Sequence, residues 1–151
     1  MHTVSEIAKK LADYCAYQER CHSEVEQKLR EFSLDEDEKA EILTYLIRHG
    51  FLSEERFARS FVRGKFYQKQ WGKIKIISHL RSKQIPEGLI NTGLKEIDEQ
   101  DYRKTLSELA QKKWRLLTEK NVFAKQKKLL SYLSQKGYEN EMIFKWIEGN
   151  S

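Results

Sequence analysis

Ser53-Glu54-Glu55-Arg56-Phe57-Ala58-Arg59-Ser60-Phe61-Val62-Arg63-Gly64-Lys65-Phe66 is the stretch whose reading decides the fold. Ser53 is suited to cap a helix, and two acids follow it at the positive end of the helix dipole. Phe57, Ala58, Phe61, Val62 and Phe66 then recur at helical period on one face, while Arg56, Arg59 and Arg63 line up opposite. Lys65 falls inside the apolar arc, so the helix is near its end there or the lysine stem snorkels to water. The spacing predicts a long helix over about residues 54–70. In the helix after it, Ile74, Ile76, Ile77 and Leu80 make the expected buried stripe, with Lys75, His79 and Ser82 pointing outward.

Working outward, the same arrangement recurs. Lys28-Leu29-Arg30, His79-Leu80-Arg81 and Tyr132-Leu133-Ser134 hold equivalent places near the end of a short helix, 51 and 53 residues apart. Apolar pairs that open a third helix follow: Ile42-Leu43, Leu89-Ile90 and Met142-Ile143. The first pair comes thirteen residues after its reference leucine and the other two come nine after theirs. The first copy therefore carries one extra helical turn, in Asp35-Glu36-Asp37-Glu38. A longer helix lies upstream of each leucine, at about 3–17, 54–70 and 99–119. Capping boxes are expected at Thr3 with Glu6 and at Ser23 with Glu26, with further caps at Asp35 and Asp98. Gly50 and Gly137 suit helix ends, and Pro86 suits a first turn. The expected fold is all-α: three tandem three-helix repeats (1–50, 51–97 and 98–151) forming an elongated, curved array.

Only eight residues of 151 are Gly or Pro, which suits helices with short connections. No apolar run reaches membrane-spanning length, and the N-terminus lacks the apolar core of a secretory signal. Cys15 and Cys21 are too few for a disulfide framework, so the expected setting is cytoplasmic and reducing. Their spacing, even with His22, matches no common zinc pattern. No metal, cofactor or catalytic constellation is expected.

Charge is polarised along the chain. Residues 56–86 hold nine Lys or Arg and no Asp or Glu, although the whole chain carries only +5. The nine are Arg56, Arg59, Arg63, Lys65, Lys69, Lys73, Lys75, Arg81 and Lys83. An unpaired positive middle of this kind attracts polyanions or an acidic protein surface. Trp71, beside Gly72 in a basic loop, is a candidate to stack on a base or anchor a partner, or to pack at a helix junction. A second basic cluster, Lys112, Lys113, Arg115, Lys120, Lys125, Lys127 and Lys128, encloses only Glu119 and either extends the first surface or serves solubility. Trp114 and Trp146 fall on periodic apolar positions and are expected in the core.

Gly50-Phe51-Leu52-Ser53-Glu54-Glu55-Arg56-Phe57-Ala58, with Phe61-Val62-Arg63, resembles the most recognisable segment of the RecX family of bacterial recombinase regulators. Glu19-Arg20-Cys21-His22-Ser23-Glu24-Val25-Glu26-Gln27-Lys28-Leu29 is similar to that family's first-repeat signature, with Val25-Glu26 in place of Glu-Leu. Gln70-Trp71-Gly72-Lys73-Ile74 occupies its glycine-rich turn, where Gly72 alone is kept and Trp71 intrudes. Leu80-Arg81-Ser82-Lys83-Gln84-Ile85 is similar to a further motif, with Gln84 in a glycine place. The third repeat is recognisable mainly through Tyr132-Leu133-Ser134-Gln135-Lys136-Gly137-Tyr138. The resemblance implies an elongated array that is not an enzyme. It implies binding in the groove of the RecA recombinase filament on DNA, suppressing recombinase and coprotease activities. On this reading the protein is a monomer whose second repeat carries the main contact, with single- or double-stranded DNA as a further partner. Two alternatives stay open: a direct DNA-binding module with no obligatory protein partner, and a helical adaptor with no nucleic-acid role.

Overall fold

The computed structural model describes residues 2–150. Met1 and Ser151, the outermost positions of the expected first and third repeats, lie outside the described residues. Among those described there are nine α-helices and no strand. In chain order they are α1 (Val4–Tyr17), α2 (His22–Leu29), α3 (Glu36–Arg48), α4 (Glu54–Arg63), α5 (Lys73–Ser82), α6 (Glu87–Leu94), α7 (Glu99–Leu116), α8 (Val122–Gln135) and α9 (Asn140–Asn150). The three reference leucines, Leu29, Leu80 and Leu133, are all fully buried. Each is followed seven residues later by the first residue of the next helix. The extra turn of the first copy therefore lies inside α3.

Local chemistry accounts for most boundaries. The Glu6 amide donates to Thr3 Oγ1 at 3.1 Å, the Arg56 amide to Ser53 Oγ at 3.2 Å, and the Gln100 and Asp101 amides to Asp98 Oδ1. Asp35 and Glu38 form a complete reciprocal box. The expected Ser23 cap is corrected: α2 begins two residues earlier than that cap implies, at His22, with Cys21 as its cap residue. The Cys21 amide donates to Glu24 at 3.1 Å, so Glu24 is the acid that closes the turn. The Ser23 hydroxyl donates instead to the Lys83 carbonyl at 3.0 Å.

Helix ends repeat one device, in which an amide reaches back five residues across a left-handed residue. It closes Phe51 onto Leu46, Ile85 onto Leu80 and Tyr138 onto Leu133. The left-handed positions are Gly50, Gln84 and Gly137, so the glycine place that Gln84 occupies does demand a positive φ. A variant ends α4. There Gly64–Gln68 form a π-helical turn, the Lys69 amide donating to the Gly64 carbonyl at 3.3 Å. The Trp71 amide then closes onto the Lys65 carbonyl at 2.9 Å, across left-handed Gln70. Both readings of Lys65 hold together: the helix is ending, and the half-buried stem carries its ammonium out over an aromatic ring.

The chain forms two compact units, one running up to Ser60 and including Leu80–Gly93, the other comprising Phe61–His79 and everything from Leu94. In the first unit α1, α2 and α3 pack on one another around Ile7, Leu11, Cys15, Val25, Leu29, Ile42 and Leu46. In the second, α7, α8 and α9 pack together and bury Leu106, Leu129, Leu133, Tyr138 and Ile143. Phe66, Tyr102 and Tyr138 form a chain of rings there, with centroids 5.6 and 5.2 Å apart. Ile74 departs from the expected stripe of α5. The helix starts at Lys73, and with Ile76 and Leu80 buried, Ile74 falls about 160° from the first and about 120° from the second and is 52% exposed.

Candidate nucleic-acid interface

The expected unpaired positive middle is corrected by the ion pairs. Six of the nine basic side chains meet carboxylates, five of them from outside the window's own helices. Arg56 Nε lies 2.6 Å from Glu19 and its guanidinium also donates to the Gly50 carbonyl at 2.8 Å, which makes it a staple of the first unit. Lys83 reaches Glu24 at 3.2 Å, and Arg81 forks onto Glu87, whose carboxyl it holds below the usual range. Arg59 pairs with Glu55 at 3.4 Å and Arg63 with Glu96 at 2.7 Å. Lys73 is mostly buried, bonded to Glu99 and lying over the Tyr102 ring. Sequence windows cannot see such partners, because several lie some 26–59 residues away.

Three of the nine have no carboxylate partner among the described residues: Lys65, Lys69 and Lys75. Two of these converge on Trp71. Lys75 Nζ lies 4.2 Å from the indole centroid and Lys65 Nζ 4.8 Å, while the His79 ring sits at 4.6 Å. Trp71 is half-buried against Phe61, edge to face. Lys136, which the charge pattern did not single out, lies over the Tyr132 ring and near Lys75. Burial, and then the charge of Lys75, push its ammonium below the usual lysine pKa. Its carbonyl accepts from the Gly72 amide at 2.7 Å. The signal that could have found it is the pairing of two glycines, Gly72 and Gly137, each next to a lysine.

That pairing is a backbone-to-backbone contact. A Cβ built on Gly72 would stand 2.3 Å from the Gly137 carbonyl carbon and oxygen, and one on Gly137 would stand 2.4 Å from Lys75 Cβ. The Ile74 amide donates to the Gly137 carbonyl at 2.9 Å, and the Lys73 amide to the Tyr102 hydroxyl at 2.9 Å. The Tyr102 hydroxyl donates in turn to Glu139, and Tyr138 donates to the Gln70 carbonyl at 2.9 Å. Burial first, and then Glu139 beside it, push the Tyr102 hydroxyl well above its usual range, so it stays a donor. The first amides of α5 are thus occupied by protein groups, and an anion at this face would be held by the lysine ammoniums. Two ammoniums over one indole and a third near Lys75, none of the three with a carboxylate partner among the described residues, suit phosphate oxygens beside a base or sugar.

The second basic cluster lies on α7, α8 and the turn joining them. Lys128 pairs with Glu119 at 2.6 Å and holds that carboxyl below its usual range. Lys125 covers the Trp114 ring at 4.1 Å and Lys113 covers Tyr132 at 4.7 Å, while Lys112, Arg115, Lys120 and Lys127 are exposed. Neither tryptophan expected in the core is fully buried. Trp114 lies under Lys125, and Trp146 donates to Ser107 at 3.2 Å at the rim of a cavity of about 470 Å³.

Among the described residues no helix is long and apolar enough to cross a membrane, and no group of His, Cys, Asp or Glu could hold a metal ion. Cys15 and Cys21 are free and buried, and burial pushes both thiols up.

Two family models match this chain: the second three-helix domain of RecX over residues 53–94 and the third over residues 99–147. The Regulatory protein RecX of Pelodictyon phaeoclathratiforme is 30% identical over 126 residues, which take in 82% of this chain and 77% of that protein. That of Clostridium botulinum (strain Eklund 17B) is also 30% identical, over 82% of this chain and 58% of the relative. A crystal structure of RecX from Lactobacillus salivarius superposes with a TM-score of 0.87 at 26% identity, covering 97% of this chain and 95% of that one. These likenesses define a class of all-helical, tandem-repeat regulators. The chain belongs to the RecX family of regulatory proteins. It spans 56–61% of the length of the clostridial relatives it matches.

Proposed function

We propose that this chain binds the RecA recombinase filament on DNA and suppresses its recombinase and coprotease activities, modulating DNA repair and recombination. The observation that carries the reading is Lys65 and Lys75 over Trp71 with Lys136 near Lys75, a polyanion-binding chemistry in which none of the three lysines has a carboxylate partner among the described residues. Family membership supports the regulatory part, and the phosphate chemistry supports a partner that includes nucleic acid. Lys69 and Arg63 belong to the same proposed contact in a secondary role, and Arg59 and Arg81 offer the first unit a weaker contact of its own, since exposed ion pairs are weak enough for phosphate to compete. Arg56, Lys73 and Lys83 serve structure first.

A pull-down of purified recombinase, with and without nucleotide and single-stranded DNA, tests the proposal. Capture only when both are present supports filament binding. Equal affinity for bare DNA, with no gain from recombinase, would favour a direct DNA-binding module. Capture of recombinase that ignores both nucleotide and DNA would favour a helical adaptor.

A further inference from the structure

The end of the α7–α8 hairpin pairs a strong positive field with apolar side chains that nothing in this unit covers. Phe123 is 81% exposed, Leu116 67% and Val122 54%. All three lie in the last turn of α7 or the first turn of α8. Between Lys112 and Lys128 there are seven Lys or Arg and one acid, Glu119, which Lys128 already engages. Lys112, Arg115, Lys120 and Lys127 have no carboxylate partner among the described residues, and α8 begins with no acid in its first turn. An exposed apolar group ringed by unbalanced cations is unfavourable in water on both counts.

The chemistry of the surface separates the occupants. A nucleic-acid strand stacks on successive aromatic faces, and with Trp114 covered by Lys125 and Tyr132 by Lys113 the isolated Phe123 ring is what this tip leaves for it. What stays open is two aliphatic side chains and one phenyl ring. That is the anatomy of a protein contact, an apolar anchor inside a charged rim. We infer that the α7–α8 tip is a protein-docking surface: Leu116, Val122 and Phe123 seat apolar side chains of a partner protein, and the surrounding cations hold the carboxylates that border them.

The inference rests on the filament reading for the partner's identity, a subunit of the recombinase. The two faces of this unit then divide the work: the lysines around Trp71 meet phosphate, and the hairpin tip meets protein.

The test uses the full chain with the photo-crosslinker p-benzoylphenylalanine replacing Phe123, or in a second preparation Trp71, on recombinase filaments assembled on single-stranded DNA. Position 123 is expected to crosslink to recombinase protein and position 71 to DNA. In parallel, Leu116→Ser plus Phe123→Ser should weaken filament binding about tenfold without changing its salt dependence, because no cation is removed. Both side chains are exposed, so helicity by circular dichroism should be unchanged. Crosslinking of position 123 to DNA, no crosslink there, or unaltered affinity of the double variant would overturn the inference while leaving the filament reading intact. Failure of the unaltered chain to bind filaments at all would overturn both.

Discussion

The arginines of α4 and the lysines around Trp71 come from one acid-free window, yet they end in opposite electrostatic states. Arg56, Arg59 and Arg63 each find a carboxylate, whereas Lys65 and Lys75 find an indole. An indole attracts an ammonium through its quadrupole without cancelling its charge. A guanidinium beside a carboxylate contributes little net field at a distance. A basic run in a sequence is therefore an upper bound on a basic surface, and aromatic partners mark where the bound is approached.

The largest way to break this contrast is through the backbone that holds the lysine face. Gly72→Ala places a Cβ against the Gly137 backbone and should cost about 3 kcal/mol, or about 6–12 °C in Tm for a chain of this size. Filament affinity should fall with it. Thermal unfolding checks this, and an unchanged Tm would mean that the two loops separate without cost. Tyr102→Phe is the next in size. It leaves the Lys73 amide without its acceptor in a buried site, so about 1–3 kcal/mol should be lost in urea unfolding.

Gln84→Gly and Gln70→Gly should act in the other direction, each relieving a left-handed non-glycine residue and stabilising by up to about 1 kcal/mol. Gln84 sits in the arginine-bearing unit and Gln70 beside Trp71, so only the latter should also alter filament binding. Smallest in stability is Lys136→Gln. Its ammonium is disfavoured by burial and by Lys75, so removing the charge should leave Tm unchanged or slightly raised while weakening binding. Loss of stability together with binding would make Lys136 structural.

The caps at Thr3, Ser53 and Asp98 were legible in the sequence because the side chain and the amide it satisfies are two or three residues apart. The buried leucines and the extra turn of α3 were legible for the same reason, helical period being local. Cys21 was missed as a cap because its neighbour Ser23 is the commoner capping residue and carries its own acid at the right spacing. The ion pairs were illegible: Glu19, Glu24 and Glu96 reach the window through tertiary packing alone. Lys136 was illegible in the same way, since it meets Lys75 only because Gly72 and Gly137 let two loops touch. Ile74 shows how two apolar residues two positions apart on a helix point to nearly opposite sides, so it could not share a stripe with buried Ile76.

The most direct measurement compares the salt dependence of filament binding for Lys65→Gln plus Lys75→Gln with that for Arg59→Gln plus Arg81→Gln. The lysine pair should flatten the slope of log affinity against log salt by about 1.4–1.8, close to two lost phosphate contacts, and the paired arginines should change it by well under half of that. Equal flattening by both pairs, or a larger change from the arginines, would contradict the account.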